Sequence, residues 1–134
     1  MVEIKQISEK EYKVGENRIY LGEDNTIYFI AVGEHNKETA LEISEAVVKL
    51  TKLVEGKINV LVDLNKAEKP SPEARKIFQE HSQYDGANKT AICGLHPVAR
   101  VLASFFIGVT QNKKIKFFYK KEEALRWLKE DSNE

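Results

Sequence analysis

The run at residues 58–64, I-N-V-L-V-D-L, constrains the fold more than any other stretch of this chain. It has the length of one strand and is strongly apolar, which suits a central strand covered on both faces. Its flanks supply the cover. Upstream, Ala40, Ile43, Val47, Leu50 and Val54 recur at spacings of three and four, as one helix face requires. Glu38, Glu42, Glu45, Lys49 and Lys52 fall elsewhere on that helix, and Gly56 fits its C-terminal stop. Downstream, Ser71-Pro72-Glu73 makes a helix start. Serine caps, proline sits at the first helical position and glutamate complements the dipole.

The same alternation extends to both ends. Residues 17–21 and 26–32 are rich in β-branched and aromatic side chains, and Gly22-Glu23-Asp24-Asn25 between them supplies turn chemistry. They predict a β-hairpin. Residues 89–94 predict a short strand, and His96-Pro97 opens a third helix running to Val109. Residues 115–119 predict the last strand and residues 121–129 the last helix, with Ala124, Leu125 and Leu128 facing in. The expected order is ββαβαβαβα. This is the α/β class: a mixed, mostly parallel sheet of about five strands with four helices. Residues 1–16 read as a polar lead-in with room for a short edge strand, and residues 131–134 as a frayed tail. No repeat or linker interrupts the pattern, so residues 1–134 are expected to form a single domain.

Composition narrows the function. The 134 residues suffice to bury one core without metal or disulfide staples. Twenty-one basic and 21 acidic residues cancel to a net charge of zero. That removes the electrostatic footprint of a nucleic-acid binder and any general pull toward anionic membranes. Cys93 is the single cysteine, the N-terminus lacks an apolar signal core, and the apolar stretch at residues 97–109 is too short to span a bilayer. A cytoplasmic protein without membrane insertion is the expectation.

Three stretches resemble a known family. Val60-Leu61-Val62-Asp63-Leu64, followed by a loop and a helix with Glu73-Ala74-Arg75, is similar to the central strand and helix of short STAS-like proteins described as SpoIIAA-like or STAS/SEC14-like. Pro97-Val98-Ala99-Arg100-Val101 through Phe105-Phe106-Ile107-Gly108 resembles their third helix. Phe117-Phe118 with Glu122 to Leu128 resembles their C-terminal ending. The likeness runs from Arg18 to Lys129. It implies the STAS fold of anti-sigma-factor antagonists, and regulation through protein partners. One departure matters. Phosphorylated antagonists open the helix after the central strand with Asp-Ser-Ser/Thr-Gly. Here that place reads Lys69-Pro70-Ser71-Pro72-Glu73, so the phospho-switch does not carry over directly.

The residues themselves offer no catalytic constellation. Ser71 is a candidate modification site, but capping is its simpler role, and Glu68 and Glu73 disfavour added negative charge. Asp63, at the carboxyl end of the central strand, could serve as a base or metal ligand, yet loop-capping explains it more simply. His35, His81 and His96 are dispersed and show no zinc spacing. Cys93 lies among small apolar residues, the setting of an inert thiol. No metal or cofactor is implied. The helix at residues 98–109 is apolar almost all round. The expected function is therefore a non-enzymatic binding or regulatory domain. Its surface would comprise Ser71, Glu73, Arg100, Leu102, Phe105, Phe106 and Val109, and its partner would be another protein or a second copy in a homodimer. The alternative is a carrier or sensor of an apolar, lipid-like molecule in a cavity lined by Leu102, Phe105 and Phe106.

Overall fold

The computed structural model describes residues 2–22, 24–56, 58–82, 87–97, 99–101 and 114–130. Among them the chain forms a seven-stranded sheet whose spatial order follows the chain order. β1 (Ile4–Ser8), β2 (Glu11–Val14), β3 (Asn17–Leu21) and β4 (Thr26–Gly33) pair antiparallel in succession. β4, β5 (Ile58–Ala67), β6 (Ala87–Cys93) and β7 (Ile115–Phe118) pair parallel. The predicted hairpin is β3 and β4, in the register Arg18↔Ile30 and Tyr20↔Tyr28.

The sheet differs from expectation in two respects. It has seven strands where about five were expected, and its antiparallel and parallel pairings balance. Both changes come from β1 and β2, which occupy the segment read as a lead-in. Every residue of β1 is exposed, and in β2 only Val14 is buried. With no face to bury, the segment carries no apolar alternation, and backbone pairing alone defines it.

β5 does what its sequence predicts. It lies between β4 and β6 and contributes alternately to two cores. Val60, Val62 and Leu64 pack with Phe29, Ile43, Leu50 and Ile92 on one face. Leu61 packs with Ala91, Cys93, Ala124 and Leu128 on the other. Helices α1 (Lys37–Thr51) and α2 (Pro72–Ser82) pack against each other over the first face. Helix α3 (Lys121–Lys129) covers the second across β5, β6 and β7. Each fully buried Leu or Ile here contributes about 1.5–3 kcal/mol.

The α1 signals operate as written. Asn36 caps its start, with Oδ1 accepting from Thr39 N at 2.9 Å. Ala40, Ile43 and Leu50 are buried and Val47 half-buried. The helix ends at Thr51, short of Gly56, and Val54 packs on the core from the turn that follows. Of the third predicted helix, Pro97 and residues 99–101 form a helical turn, with Ala99 N donating to His96 O at 2.9 Å. Val98, Leu102, Phe105, Phe106 and Val109 lie outside the described residues, as does the tail at 131–134.

Candidate functional site

The carboxyl ends of β5, β6 and β7 form one edge, where open α/β sheets bind their ligands. Asp63 and Asn65 organise it. Asp63 Oδ1 accepts from Asn65 N at 3.0 Å and from Asn65 Nδ2 at 2.9 Å. Asn65 Oδ1 in turn accepts from Leu95 N at 2.8 Å, tying the end of β5 to the loop after β6. That loop packs tightly: a Cβ on Gly94 would stand 2.5 Å from Ala99 Cβ. Gly94 N donates to Phe118 O, which secures the loop to β7. On this fixed frame three large apolar side chains face outward. Leu95 is 66% exposed, Val101 56% and Tyr119 48%. Arg100 Nη1 donates to Tyr119 Oη, so the helical turn and the end of β7 are joined as well.

Ser71 and Glu73 stand at the start of α2, beside the loop that follows β4. Ser71 Oγ accepts from Ala74 N at 3.1 Å, and Ser71 N donates to His35 O at 2.9 Å. The serine is a working N-cap. Ser71→Ala should cost about 1 kcal/mol and lower the urea midpoint without changing the slope of the transition. An unchanged midpoint would mean that the cap contributes nothing. Glu73 is exposed in the first turn of α2.

The two candidates for covalent or acid–base chemistry are both occupied structurally. Asp63 holds Asn65 through the two bonds just described. Cys93 is completely buried. Burial, with the charge of Asp63 adding to it, pushes the Cys93 thiol up to about 12. A thiol in that state is not a nucleophile near neutral pH. Among the described residues no group of three or more His, Cys, Asp or Glu side chains is placed to hold a metal ion.

A second feature lies on the α1 and α2 face. A cavity of about 160 Å³ lies between these helices and the sheet, bounded by Phe29, Ile43, Val47, Val62, Phe78 and Ile92 among others. Its volume is close to that of an engineered apolar cavity of about 150 Å³ that binds benzene. His35, only 5% exposed, forms part of its wall. The ring sits edge-on to Phe29 and Phe78, with centroids at 6.2 and 5.8 Å. Its Nε2 lies 2.9 Å from Asn17 Oδ1. Burial lowers His35 to about 4, so the imidazole is neutral at neutral pH.

Two comparisons bear on this geometry. A family model described as a domain of unknown function, DUF7793, matches residues 20–131. The chain belongs to this family. The matched span takes in β4 to β7 and helices α1, α2 and α3 of the DUF7793 chain, and with them both the strand-end surface and the cavity. Among solved structures, it is similar to an uncharacterised protein of the DUF3478 family from Shewanella loihica with a SpoIIAA-like fold. They share 19% identity at a TM-score of 0.61, over 96% of this chain and 92% of that one. It is also similar to the anti-sigma factor antagonist SpoIIAA in its unphosphorylated form, at 11% identity and a TM-score of 0.51, over 95% and 96% of the two chains. These likenesses show the fold: the DUF7793 chain has a SpoIIAA-like, STAS-type architecture. No curated protein matches it. No helix among its described residues is long and apolar enough to cross a membrane.

Sequence reasoning named Ser71, Glu73 and Arg100: Arg100 is joined to Tyr119, whereas Ser71 caps α2 beside His35 and Glu73 lies in the first turn of that helix. It passed over Leu95, a single apolar residue in a loop that no periodicity marks, and read Tyr119 as the end of the last strand, which stops at Phe118. It also named His35 only as one of three dispersed histidines. Its position directly after the end of β4, before the Asn36 cap, was the available signal.

Proposed function

We propose that this chain is a non-enzymatic binding domain that regulates through protein contact, using the strand-end surface around Leu95 and Tyr119. The observation that carries the reading is the exposure of Leu95, 66%, on a loop held by Asn65 and Gly94. An apolar side chain displayed on a fixed, hydrogen-bonded frame pays little ordering entropy on association. Arg100 and Tyr119 beside it are of the types enriched at protein interfaces. The SpoIIAA likeness supports the same reading, since an anti-sigma factor antagonist acts on other proteins. We place the domain in the cytoplasm, where the lone Cys93 meets reducing conditions, and take a second copy of the chain as the first partner to test.

A photo-crosslinking side chain at position 119 should give a discrete product in host cells, and Leu95→Asp should abolish it. Sedimentation velocity over a concentration series would then separate self-association from a different partner. Crosslinks from position 20, on the open sheet, with none from position 119 would reject the assignment. The cavity favours a second reading, in which the domain carries or senses a small apolar molecule.

A further inference from the structure

We propose that the cavity between α1, α2 and the sheet binds a small apolar molecule bearing one hydroxyl group, which donates its hydrogen bond to His35 Nδ1. This rests on the second reading above and specifies its ligand. The tautomer of His35 follows from the network at Asn17. Asn17 Nδ2 donates to Val14 O at 2.9 Å, which fixes the orientation of the carboxamide. Its Oδ1 is then an acceptor, and it receives Val32 N at 2.7 Å. His35 Nε2, 2.9 Å from the same oxygen, must carry a proton. A neutral imidazole has one N–H, so Nδ1 presents a lone pair.

Among the described residues nothing donates to that lone pair. The ring is 95% buried, being 5% exposed, and it forms part of the cavity wall. A molecule in the cavity meets this ring, and a ligand hydroxyl would match its acceptor. The rest of the site sets the ligand's character. Phe29, Ile43, Val62, Phe78 and Ile92 present an apolar wall, and Thr51 Oγ1 already donates to Val48 O at 2.6 Å. An anionic ligand would meet the Glu68 carboxylate, which also lines the cavity, and would find no counter-charge on the neutral His35. A volume of about 160 Å³ admits a molecule close to benzene in size.

Phenol and toluene are the appropriate probes, because they match in shape and differ in the hydroxyl. Both should bind the full chain and compete with each other, and Val62→Phe, which fills the cavity, should abolish both. With the histidine rings labelled with nitrogen-15, phenol should move the Nδ1 resonance of His35 while toluene leaves it in place. In His35→Phe, phenol should weaken roughly tenfold or more, while toluene stays within about threefold. Toluene binding without a phenol effect on Nδ1, or an equal loss of both probes in His35→Phe, would overturn the role of His35 and leave the second reading standing. Failure of both probes to bind folded protein up to their solubility would overturn both. If His35→Phe does not fold, the nitrogen shifts of the unmodified chain decide the question.

Discussion

Lys89→Met should lower the melting temperature by roughly 10 °C, and the transition should be visible in the fluorescence of Trp127. Lys89 sits in β6 and is buried, 8% exposed. Its ammonium reaches across to the end of α3, where Nζ donates to Trp127 O at 2.8 Å and to Glu130 O at 3.0 Å. The last carbonyls of a helix have no partner within the helix, and the helix dipole places partial negative charge there. Lys89 answers both needs with one side chain, and Nζ also stands 5.0 Å from the Trp127 ring centre. Methionine keeps the apolar stem and removes the charge, leaving two carbonyls without their donor. Charge-assisted hydrogen bonds of this kind are worth about 1.5–3 kcal/mol each when truncated, and they share one donor, so a net loss of about 2–3 kcal/mol is expected. Trp127 is the only tryptophan, so its emission reports on α3 specifically. A Lys89→Met protein that melts within about 2 °C of the unmodified chain would show that water serves those carbonyls equally well.

Lys89 also shows where the sequence stops being informative. Elements that bury apolar side chains were legible: β5 from its apolar run, α1 from its three-and-four spacing, α2 from Ser71-Pro72 and α3 from Ala124 and Leu128. Their patterns record burial, and burial was observed. β1 and β2 left no such record, because Lys5, Gln6, Ser8, Glu11 and Lys13 face little that is apolar. Strand pairing there depends on backbone groups that every residue shares. The polar contacts that fix the fold were equally silent. Asn17 and His35 are 18 residues apart and meet only because the β3–β4 hairpin brings them together. Lys89 and Trp127 meet across 38 residues because α3 crosses β6. A lysine in a strand reads as a sign of exposure, and here it is a helix cap. The inert reading of Cys93 did follow from its small apolar neighbours, and it agrees with the thiol's burial.

His35 should make the protein acid-sensitive over a defined range. Burial lowers its folded-state value to about 4, against an ordinary value of 6.5. The unfolded chain therefore binds a proton between those two values that the folded chain refuses. Stability rises with pH wherever the unfolded state holds more protons. The contribution from His35 is thus complete above about 6.5 and is lost progressively as pH falls toward 4. A gap of this width corresponds to about 3 kcal/mol by pH 4. The cost has a structural cause. A proton added to Nδ1 would put a cation among Phe29, Phe78 and the apolar cavity wall, and Asn17 Oδ1, already receiving Val32 N, faces the opposite nitrogen. His35→Gln removes the titrating group and retains a polar side chain. Urea denaturation at pH 7 and pH 4.5 should show a large loss of stability in the unmodified chain and a clearly smaller one in His35→Gln. Carboxylates and the other histidines contribute equally to both proteins, so the difference isolates this ring. Equal losses in the two would mean that His35 is protonated in the folded state at little cost. The ring would then sit in a wetter site than the packing of Phe29 and Phe78 around it implies.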